Sequence, residues 1–379
     1  MQVKQFSNFF LNLVVAAFLG ACSTPLTEFG TDRFHKNADE NIRLPSVIVQ
    51  VNSRWVPIQW HELPGWAESS KLGVSGAWKA WLKSCEVPAT AMANLCADIR
   101  RHGLSTSEAQ IAWMKEKLQP YRVESLNGQS EGLLTSYFEP EIIASRILRP
   151  GFTVPLYRPP ANLGARIPWH TRQEIDSLPL ARAKLRGHEI AYVANPIDAM
   201  ILQIQGSGRL NIIEADGTQR TIRLAYAANN EHPYRSIGRW LLEQGERGSR
   251  DITWKGIKDW QARNQHRTNE LLWSNPRVVF FHEELLKDMA GGPRGAQGVS
   301  LTPEHSIAVD RHSIPYGAPV WLVSNGSVGR IQKIVIAQDT GSAITGAVRA
   351  DYFAGWGNEA GEYANRVKQN LRMWVLWTK

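Results

Sequence analysis

The stretch Ile334–Phe353, IVIAQDTGSAITGAVRADYF, decides how the rest of the chain is interpreted. Its first residues, Ile334–Ala337, are apolar and mostly β-branched, which is typical of a buried strand. Asp339 follows this run, Thr340 and Gly341 come next, and Asp351 stands twelve positions after Asp339. A carboxylate at the end of a buried strand can face a cleft, where burial and a neighbouring acid raise its pKa. The same pattern also fits an ordinary polar turn, in which Asp and Gly are common.

Three acids of the C-terminal region occur in similar contexts: Asp310 in IAVDRHSIPYG, Asp339 in IAQDTGSAITG, and Asp351 in VRADYF. Carboxylic acids are the usual proton donors for glycosidic bonds, because the leaving oxygen has to be protonated. An ordinary glycosidase uses two such acids. The spacing does not identify which of the three is neutral, and one or two of them can instead fix loops by accepting backbone N–H groups.

The composition is that of a globular chain: 379 residues with 43% hydrophobic and 21% charged side chains, long enough for two domains. The 15 Trp residues mildly favour a carbohydrate partner, since flat aromatic faces bind sugar rings. The net charge of +8 favours an anionic polymer or membrane surface. We expect no nucleic acid as partner, because no dense Lys/Arg run is present.

The first residues predict a secreted chain. Lys4 and the apolar stretch 9–19 fit a secretory signal, which is too short for a comfortable membrane span. The tetrapeptide 19–22, Leu-Gly-Ala-Cys, resembles a bacterial lipobox, in which Cys22 becomes acylated, and Ser23 after it resembles the outer-membrane sorting pattern. Cys85 and Cys96 remain as a candidate disulfide, with two buried free thiols as the alternative.

The periodicity predicts helices at 65–85, 105–118, 236–244, 257–272 and 358–370, with capping boxes at 105/108 and 171/174. Strands are expected within 47–58, 133–142, 190–193, 199–204, 221–225, 277–282, 306–309, 320–323, 331–337 and 373–377. Asp216-Gly217 predicts a hairpin turn. The β-rich part 141–222 is small enough to be an inserted domain.

Aromatic and amide side chains upstream provide a possible sugar site. Tyr137, Phe138 and Glu139 precede the run Gln203–Gly208, QIQGSG, in which glycines allow a ligand to approach the backbone. A solvent-facing strand would explain Gln203 and Gln205 equally well.

Parts of the sequence also fit two other kinds of site. Asp339-Thr340-Gly341 matches the local signature of an aspartic protease, but a second copy is missing from the sequence, so that chemistry would require a symmetric dimer. The second is a metal site formed by His305, Asp310 and His312, because alternate positions on a strand can converge on an ion. Hydrogen bonding within loops is the more ordinary role of these residues.

With these residues collected, the chain resembles the membrane-bound lytic murein transglycosylase A family from about Leu133 onward. The markers are LTSYFEP, ILQIQGSGRL, YRSIGRWLLEQGE, SIAVDRHSIPYGAPVWL, IAQDTGSAITGAVRADYF and GNEAGEYANRVKQNLRMWVL. The three aspartates match the three-Asp module of that family. The chain departs from it at Ser342, where family members often have a second glycine.

The resemblance implies a mainly β chain with flanking helices: a double-psi β-barrel, a smaller inserted β-barrel and a groove between them. The expected division is a signal peptide at 1–21, a tether at 22–45, the main domain at 46–140 and 223–379, and the insert at 141–222. The resemblance also implies cleavage of the β-1,4 bond between N-acetylmuramic acid and N-acetylglucosamine, forming a 1,6-anhydromuramyl end. A muramidase and a non-catalytic peptidoglycan-binding lipoprotein are the alternatives.

By this resemblance Asp339 is the catalytic acid and base, with Asp310 and Asp351 as supporting acids. The residues expected to contact the glycan strand are Tyr137, Glu139, Gln203, Gln205, Gly206, Ser207 and Gly341. We expect no cofactor, no metal, and a monomer held to the outer-membrane lipid through Cys22, facing the periplasm. Other cell-wall enzymes or scaffold proteins are further candidate partners.

Overall fold

The structure is a computed structural model that describes residues 44–69, 74–103, 105–246, 252–286 and 288–379. Sheets and packed helices confirm the predicted class, a mainly β chain with flanking helices. The strands, in chain order, are β1 (Ile48–Val49), β2 (Arg54–Pro57), β3 (Leu118–Glu124), β4 (Gly132–Glu139), β5 (Glu141–Ser145), β6 (Val154–Tyr157), β7 (Glu189–Val193), β8 (Ser207–Ile213), β9 (Gln219–Asn229), β10 (Val279–Leu285), β11 (Ser306–Val309), β12 (Pro319–Gly326), β13 (Gly329–Asp339), β14 (Arg349–Trp356) and β15 (Lys368–Thr378). The helices are α1 (Trp66–Ser69), α2 (Val74–Ser84), α3 (Ala93–His102), α4 (Ser107–Lys117), α5 (Arg172–Ser177), α6 (Pro179–Ala183), α7 (Pro196–Gln205), α8 (Ile237–Glu243), α9 (Trp254–Arg263), α10 (Thr268–Trp273) and α11 (Gly357–Arg366).

Among the described residues, six strands form a closed ring in the order β15, β12, β13, β11, β14, β4. The ring closes because β15 pairs antiparallel with both β12 and β4. Two of its pairs are parallel, β11 with β13 and β14 with β4. β3, β2 and β1 continue the sheet outward from β15. This ring is the predicted barrel. Its strands come from parts of the sequence that precede and follow the strands of a second sheet.

The second sheet has the order β10, β9, β8, β5, β7, β6. β8 and β9 form the hairpin that Asp216-Gly217 predicts, with Ile213 opposite Gln219. The outer strands β10 and β6 also approach each other, so the sheet curls toward closure. The sheet extends past the predicted insert of 141–222, because β9 runs to Asn229 and β10 follows only after helices α8, α9 and α10.

The tryptophans lie largely in the core rather than in a binding groove. Trp55, Trp81 and Trp321 are at most 1% exposed and belong to one large cluster around the barrel. Trp78, Trp81 and Trp113 pack edge to face, with ring centroids 5.6–5.8 Å apart. Core packing, more than sugar binding, therefore accounts for the abundance of Trp.

The stretch 199–204, predicted as a strand, is helical and belongs to α7. The Asn195 side chain accepts the N–H of Ile197 as the N-cap, and Pro196 occupies the first turn. Gly206 ends the helix with φ 79°, a left-handed conformation that favours glycine. The apolar run alone fits a buried strand or a buried helix, and the flanking caps decide the outcome.

Smaller differences concern helix ends. Thr106, not Ser105, caps α4, and Pro120 lies inside β3 rather than ending the helix. The predicted helix 257–272 is divided into α9 and α10 by a 3₁₀ turn at Gln265–Arg267. α11 ends at Arg366, so 368–370 belong to β15. The capping box of Thr171 and Glu174 is present as predicted.

The predicted signal peptide 1–21 and nearly all of the tether 22–45, including Cys22, lie outside the described residues. Cys85 and Cys96 are buried and form a disulfide between the end of α2 and α3. Within the part of the chain that the structure describes, no helix has the length and apolar character needed to cross a membrane.

Candidate active site

Asp339 is the last residue of β13, at one end of the barrel. The preceding residues Ile334–Ala337 are buried, and β13 is held by β12 on one side and by β11 on the other. Asp339 itself is half-buried, and Thr340 after it is exposed. The strand therefore fixes the backbone of Asp339 while its side chain lies where the barrel opens to solvent.

Three donors converge on the Asp339 carboxyl group. The hydroxyl of Tyr137 donates to Oδ2 at 2.8 Å, and the backbone N–H groups of Ala296 and Thr340 donate to Oδ1 at 2.9 Å each. Burial raises the pKa of Asp339 above its ordinary value, and these three hydrogen bonds offset only part of that effect. The Asp339 carboxyl group thus holds its proton more tightly than an ordinary aspartic acid does.

The Tyr137 hydroxyl keeps its proton in this arrangement. Burial, followed by the negative charge of Asp339, raises the pKa of Tyr137 well above its ordinary value. Its ring packs against Phe353 with centroids 5.3 Å apart, which holds the hydroxyl in place.

Asp351 lies in β14 and is also half-buried. The hydroxyl of Thr135 on the neighbouring strand β4 donates to its Oδ1. Burial raises the pKa of Asp351, the charge of Asp339 adds to this rise, and Thr135 and Arg349 oppose it. The structure therefore brings together two carboxyl groups that both hold protons more tightly than usual.

Asp310 has a different environment. It is 6% exposed and accepts the side-chain N–H of Asn52 at 2.9 Å and the backbone N–H groups of Gly346 and His312 at 2.8 and 2.9 Å. Burial alone would raise its pKa, but these donors hold the pKa of Asp310 below its ordinary value. Asp310 is therefore an ionised acid that fixes the loop before β14 and ties it to the N-terminal strands.

A cavity of about 280 Å³ opens beside Asp339 and Asp351. It lies between the end of the barrel and helix α7, which packs against strands of the second sheet. Its lining residues are Thr135, Ser136, Tyr137, Gln203, Ile204, Gln205, Tyr234, Arg277, Ala308, Asp339, Thr340, Gly341, Ser342, Ala343, Ile344, Arg349 and Asp351.

Of the glycan-contacting residues expected from the sequence, Tyr137, Gln203, Gln205 and Gly341 line this cavity. Gln203 and Gln205 lie on the last turn of α7 instead of a strand. The Gln203 side-chain oxygen accepts from Arg172 at 2.6 Å, and that of Gln205 accepts the N–H of Phe138 at 3.1 Å. These bonds orient the two amide groups at the cavity wall.

Glu139, Gly206 and Ser207 have other positions. Glu139 is fully buried and forms ion pairs with Arg209 and Arg223, so it does not contact a ligand in the cavity. Gly206 and Ser207 follow Gln205 at the junction of α7 and β8.

Sequence reasoning missed Thr135, Tyr234, Arg277 and Arg349 as cavity residues. Arg349 has a signal, since it stands two positions before Asp351 on the same strand and so shares its face. Arg277 donates to the carbonyl of His232, and burial raises the pKa of Tyr234. The sequence carries no local signal for these last two, because loops bring them to the cavity.

The metal-site alternative has no geometric support. Within the described residues, no group of three His, Cys, Asp or Glu side chains lies close enough together to hold a metal ion. His305 packs against α2 at Gly76, and burial lowers its pKa to about 4. His312 is exposed on the loop that Asp310 holds.

Two family models match the chain. The first, described as the MltA specific insert domain, matches residues 133–282, and the second, described as the 3D domain, matches residues 305–377. The first model ends within β10, and the second begins one residue before β11. Asp339 and Asp351 lie within the second model, whereas Tyr137, Gln203 and Gln205 lie within the first.

Sequence and structure comparisons agree with these models. The chain is 32% identical over 269 residues to membrane-bound lytic murein transglycosylase A of Escherichia coli K12, covering 69% of this chain and 70% of that protein. The solved structure of the lytic transglycosylase LtgG of Burkholderia pseudomallei is 39% identical, with a TM-score of 0.60 over 88% of this chain and all of that one. The crystal structure of MltA from Neisseria gonorrhoeae is 28% identical, with a TM-score of 0.72 over 88% of this chain and 95% of that one.

Proposed function

The chain belongs to the membrane-bound lytic murein transglycosylase A family, and from this premise we propose that Asp339 is the single acid and base with which it cleaves peptidoglycan. It is a peptidoglycan lytic transglycosylase. The bond we assign is the β-1,4 bond between N-acetylmuramic acid and N-acetylglucosamine, and the product is a 1,6-anhydromuramyl end. The observation that carries the assignment is the Asp339 carboxyl group, which lines an open cavity and whose pKa is raised by burial.

The hydrogen bonds of Asp339 decide which oxygen carries the proton. Oδ1 accepts two backbone N–H groups, which cannot themselves accept a hydrogen bond. Oδ2 faces the Tyr137 hydroxyl, which can act as donor or acceptor. Oδ2 is therefore the oxygen that gives and takes the proton.

In the first step Oδ2–H protonates the glycosidic oxygen, the bond from that oxygen to the muramyl anomeric carbon breaks, and the N-acetylglucosamine leaves with a free hydroxyl. In the second step the C6 hydroxyl of the muramyl residue attacks its own anomeric carbon and gives its proton to Oδ2. Asp339 is then protonated again and no water is consumed. Because the nucleophile is part of the substrate, one carboxyl group is enough for both steps.

Between these steps Asp339 is a carboxylate. The N–H groups of Ala296 and Thr340 and the hydroxyl of Tyr137 stabilise that charge in the low-dielectric cavity. We assign to Asp351 an electrostatic role in support of Asp339, because the negative charges of the two carboxylates repel each other. Asp310 supports the site indirectly by holding the loop at Gly346.

The cavity wall supports a glycan strand as ligand. We propose that Tyr137, Gln203, Gln205 and Gly341 contact the sugars, and that Gly206 and Ser207 extend this contact along the groove. The amide groups can donate to acetamido carbonyls, and Gly341 allows the backbone to approach closely. Arg277 and Arg349 also line the cavity, which suits the carboxylates of peptidoglycan stem peptides.

We further propose that acylated Cys22 anchors the protein in the outer membrane, facing the periplasm and its peptidoglycan. The lipobox-like residues 19–22 and Ser23 support this placement. The relatives that the chain matches are named membrane-bound, which agrees with it.

A hydrolase is the second candidate, because Asp351 lines the same cavity as Asp339 and would be the second acid of an ordinary glycosidase. Mass spectrometry of digested sacculi separates the two reactions, since anhydro ends lack the elements of water. We expect anhydro products from the wild type. Reducing ends as the main product would identify a muramidase.

Asp339→Asn tests the assignment of the acid. We expect the variant to release no muropeptides while still binding sacculi in a pull-down. Asp259 is a half-exposed aspartate on α9 that pairs with Lys255, and Asp259→Asn is the matched control, which is expected to retain full activity. Normal muropeptide release by Asp339→Asn would mean that another group is the acid.

A further inference from the structure

We propose that the buried ion cluster of Glu139, Arg209 and Arg223 positions the active site, by locking together the two segments through which the chain crosses between the barrel and the second sheet. These segments supply the Tyr137 O–H and the Ala296 N–H to Asp339. The inference rests on the proposed role of Asp339 and adds positioning residues to it.

The ion cluster lies where the chain leaves the barrel. Glu139 is the last residue of β4 and is fully buried, while Arg209 on β8 and Arg223 on β9 are 1% and 8% exposed. Arg209 Nε donates to Glu139 Oε2 at 2.8 Å, and Arg223 Nε donates to Oε1 at 2.5 Å. One strand of the barrel is thereby fixed to two strands of the second sheet.

The same two arginines also hold the segment through which the chain returns to the barrel, here called the return segment (288–301). Arg209 donates to the carbonyls of Met289 and Gly291 at 2.8 and 3.0 Å, and Arg223 donates to Gly291 at 2.6 Å. The two arginines therefore link the outgoing and the returning segment close in sequence to Tyr137 and Ala296.

The return segment continues from Gly291 to the catalytic carboxyl group. Ser300 Oγ donates to the carbonyl of Gly292 at 2.9 Å, and the N–H of Gly295 donates to Val299 at 2.9 Å. Gly295 lies so close to β13 that a Cβ there would stand 2.5 Å from the carbonyl oxygen of Gln338. The next residue, Ala296, thus places its N–H at Asp339 Oδ1.

The outgoing segment is equally short. Tyr137 stands two residues before Glu139 on β4, so holding Glu139 fixes the position of the Tyr137 ring. Removing three charges from water is costly, and apolar side chains fill such a space at least as stably. Because the arginines of the cluster also donate to carbonyls of the return segment, we infer that the cluster orients this segment rather than adding stability.

Arg223→Lys tests this role, because lysine keeps the charge beside Glu139 but has one nitrogen in place of the two through which Arg223 bonds both Glu139 oxygens and Gly291, so it loses the fixed planar geometry of these bonds. We expect kcat to fall roughly tenfold with KM within about twofold, since a misplaced catalytic group slows chemistry more than binding. Loss of the Ala296 N–H would also move the alkaline limb of the pH–rate profile upward by about one pH unit. Tyr137, Thr340, Asp351 and Tyr316 also face Asp339, and the substitution removes none of these groups.

Arg146→Lys is the matched control. Arg146 pairs with Glu214 and Glu283 in the same sheet but holds neither crossing segment, so its pH profile should match the wild type. An Arg223→Lys variant that behaves like Arg146→Lys, or loses activity only in proportion to its unfolded fraction, overturns the proposal.

If Arg223→Lys does not fold, Glu139→Asp is tested in its place. This substitution shortens the side chain by one methylene and so moves the carboxylate away from Arg209 and Arg223. Failure of both to fold also overturns the proposal, because the cluster would then be a condition for folding. Asp339→Asn, assayed in parallel, separates the two levels. If it stays active, the proposed acid is wrong; if it is inactive and Arg223→Lys is normal, only the positioning role is wrong.

Discussion

Replacing Tyr137 with Phe should move the pH dependence of the enzyme. The substitution removes the hydroxyl that donates to Asp339 Oδ2 at 2.8 Å and keeps the ring that packs on Phe353. The Asp339 carboxylate loses one of three donors, whereas its protonated form loses less. The pKa of Asp339, already raised by burial, therefore rises further.

The magnitude follows from the strength of such a bond. A hydrogen bond to a charged group contributes about 1.5–3 kcal/mol. One pH unit corresponds to about 1.4 kcal/mol, so the shift is roughly one to two pH units. Since the proposed general acid works in its protonated form, the alkaline limb of the rate profile should move upward by that amount. The maximal rate should fall roughly ten- to hundredfold, because the carboxylate formed in the transition state loses the same stabilisation.

The assay is the release of soluble muropeptides from purified sacculi across about pH 4–9, with kcat/KM taken at each pH. Tyr352→Phe is the control: Tyr352 lies on β14, is buried, and donates its hydroxyl to the Glu304 carbonyl at 2.9 Å outside the cavity. Its profile should not move. An alkaline limb that stays in place or moves downward in Tyr137→Phe would refute the assigned role of the hydrogen bond.

Further predictions concern stability and its pH dependence. Asp339→Asn should be more thermostable than the wild type at pH 8 but not at pH 4, because burial raises the native pKa of Asp339 and the charged carboxylate costs stability above the unfolded-state pKa; melting curves with the same difference at both pH values would contradict this. Asp310→Asn should destabilise the fold by about 1–3 kcal/mol at pH 7, because its three donors then face a neutral amide. That loss should shrink as the pH falls through the lowered native pKa of Asp310, and calorimetry at pH 7 and 3 checks it. Replacing Cys85 and Cys96 together with Ser should cost about 3 kcal/mol by loop-closure entropy, measured by denaturant unfolding, and should leave the activity of the folded fraction intact.

The sequence predicted five of the six strands of the closed ring, because their signals are local, and it missed β14. Ile334–Ala337 are buried as the β-branched run indicates, and the Asp216-Gly217 turn joins β8 to β9. The position of Asp339 at a strand end follows from the same run. These features depend on residues that are neighbours in the chain.

Features that depend on distant residues could not be predicted. Glu139 was expected to contact a ligand, but its partners Arg209 and Arg223 are 70 and 84 positions away, and only the folded chain brings them together. The donor from Tyr137 to Asp339 bridges 202 positions. The error in α7 is of another kind, since Asn195, Pro196 and Gly206 are local capping signals that outweigh the strand-like run between them.

The closure of the barrel has a consequence for biogenesis. β15 is the last strand of the sequence, yet it pairs with β3, β12 and β4. Residues near 120 and 135 therefore cannot complete their strand pairing until residues 368–378 have been synthesised. A nascent chain lacking those residues would expose three strand edges, which are sites of aggregation and proteolysis. We therefore expect the barrel to form late, after synthesis of β15, and its long-range pairings to make that assembly slow.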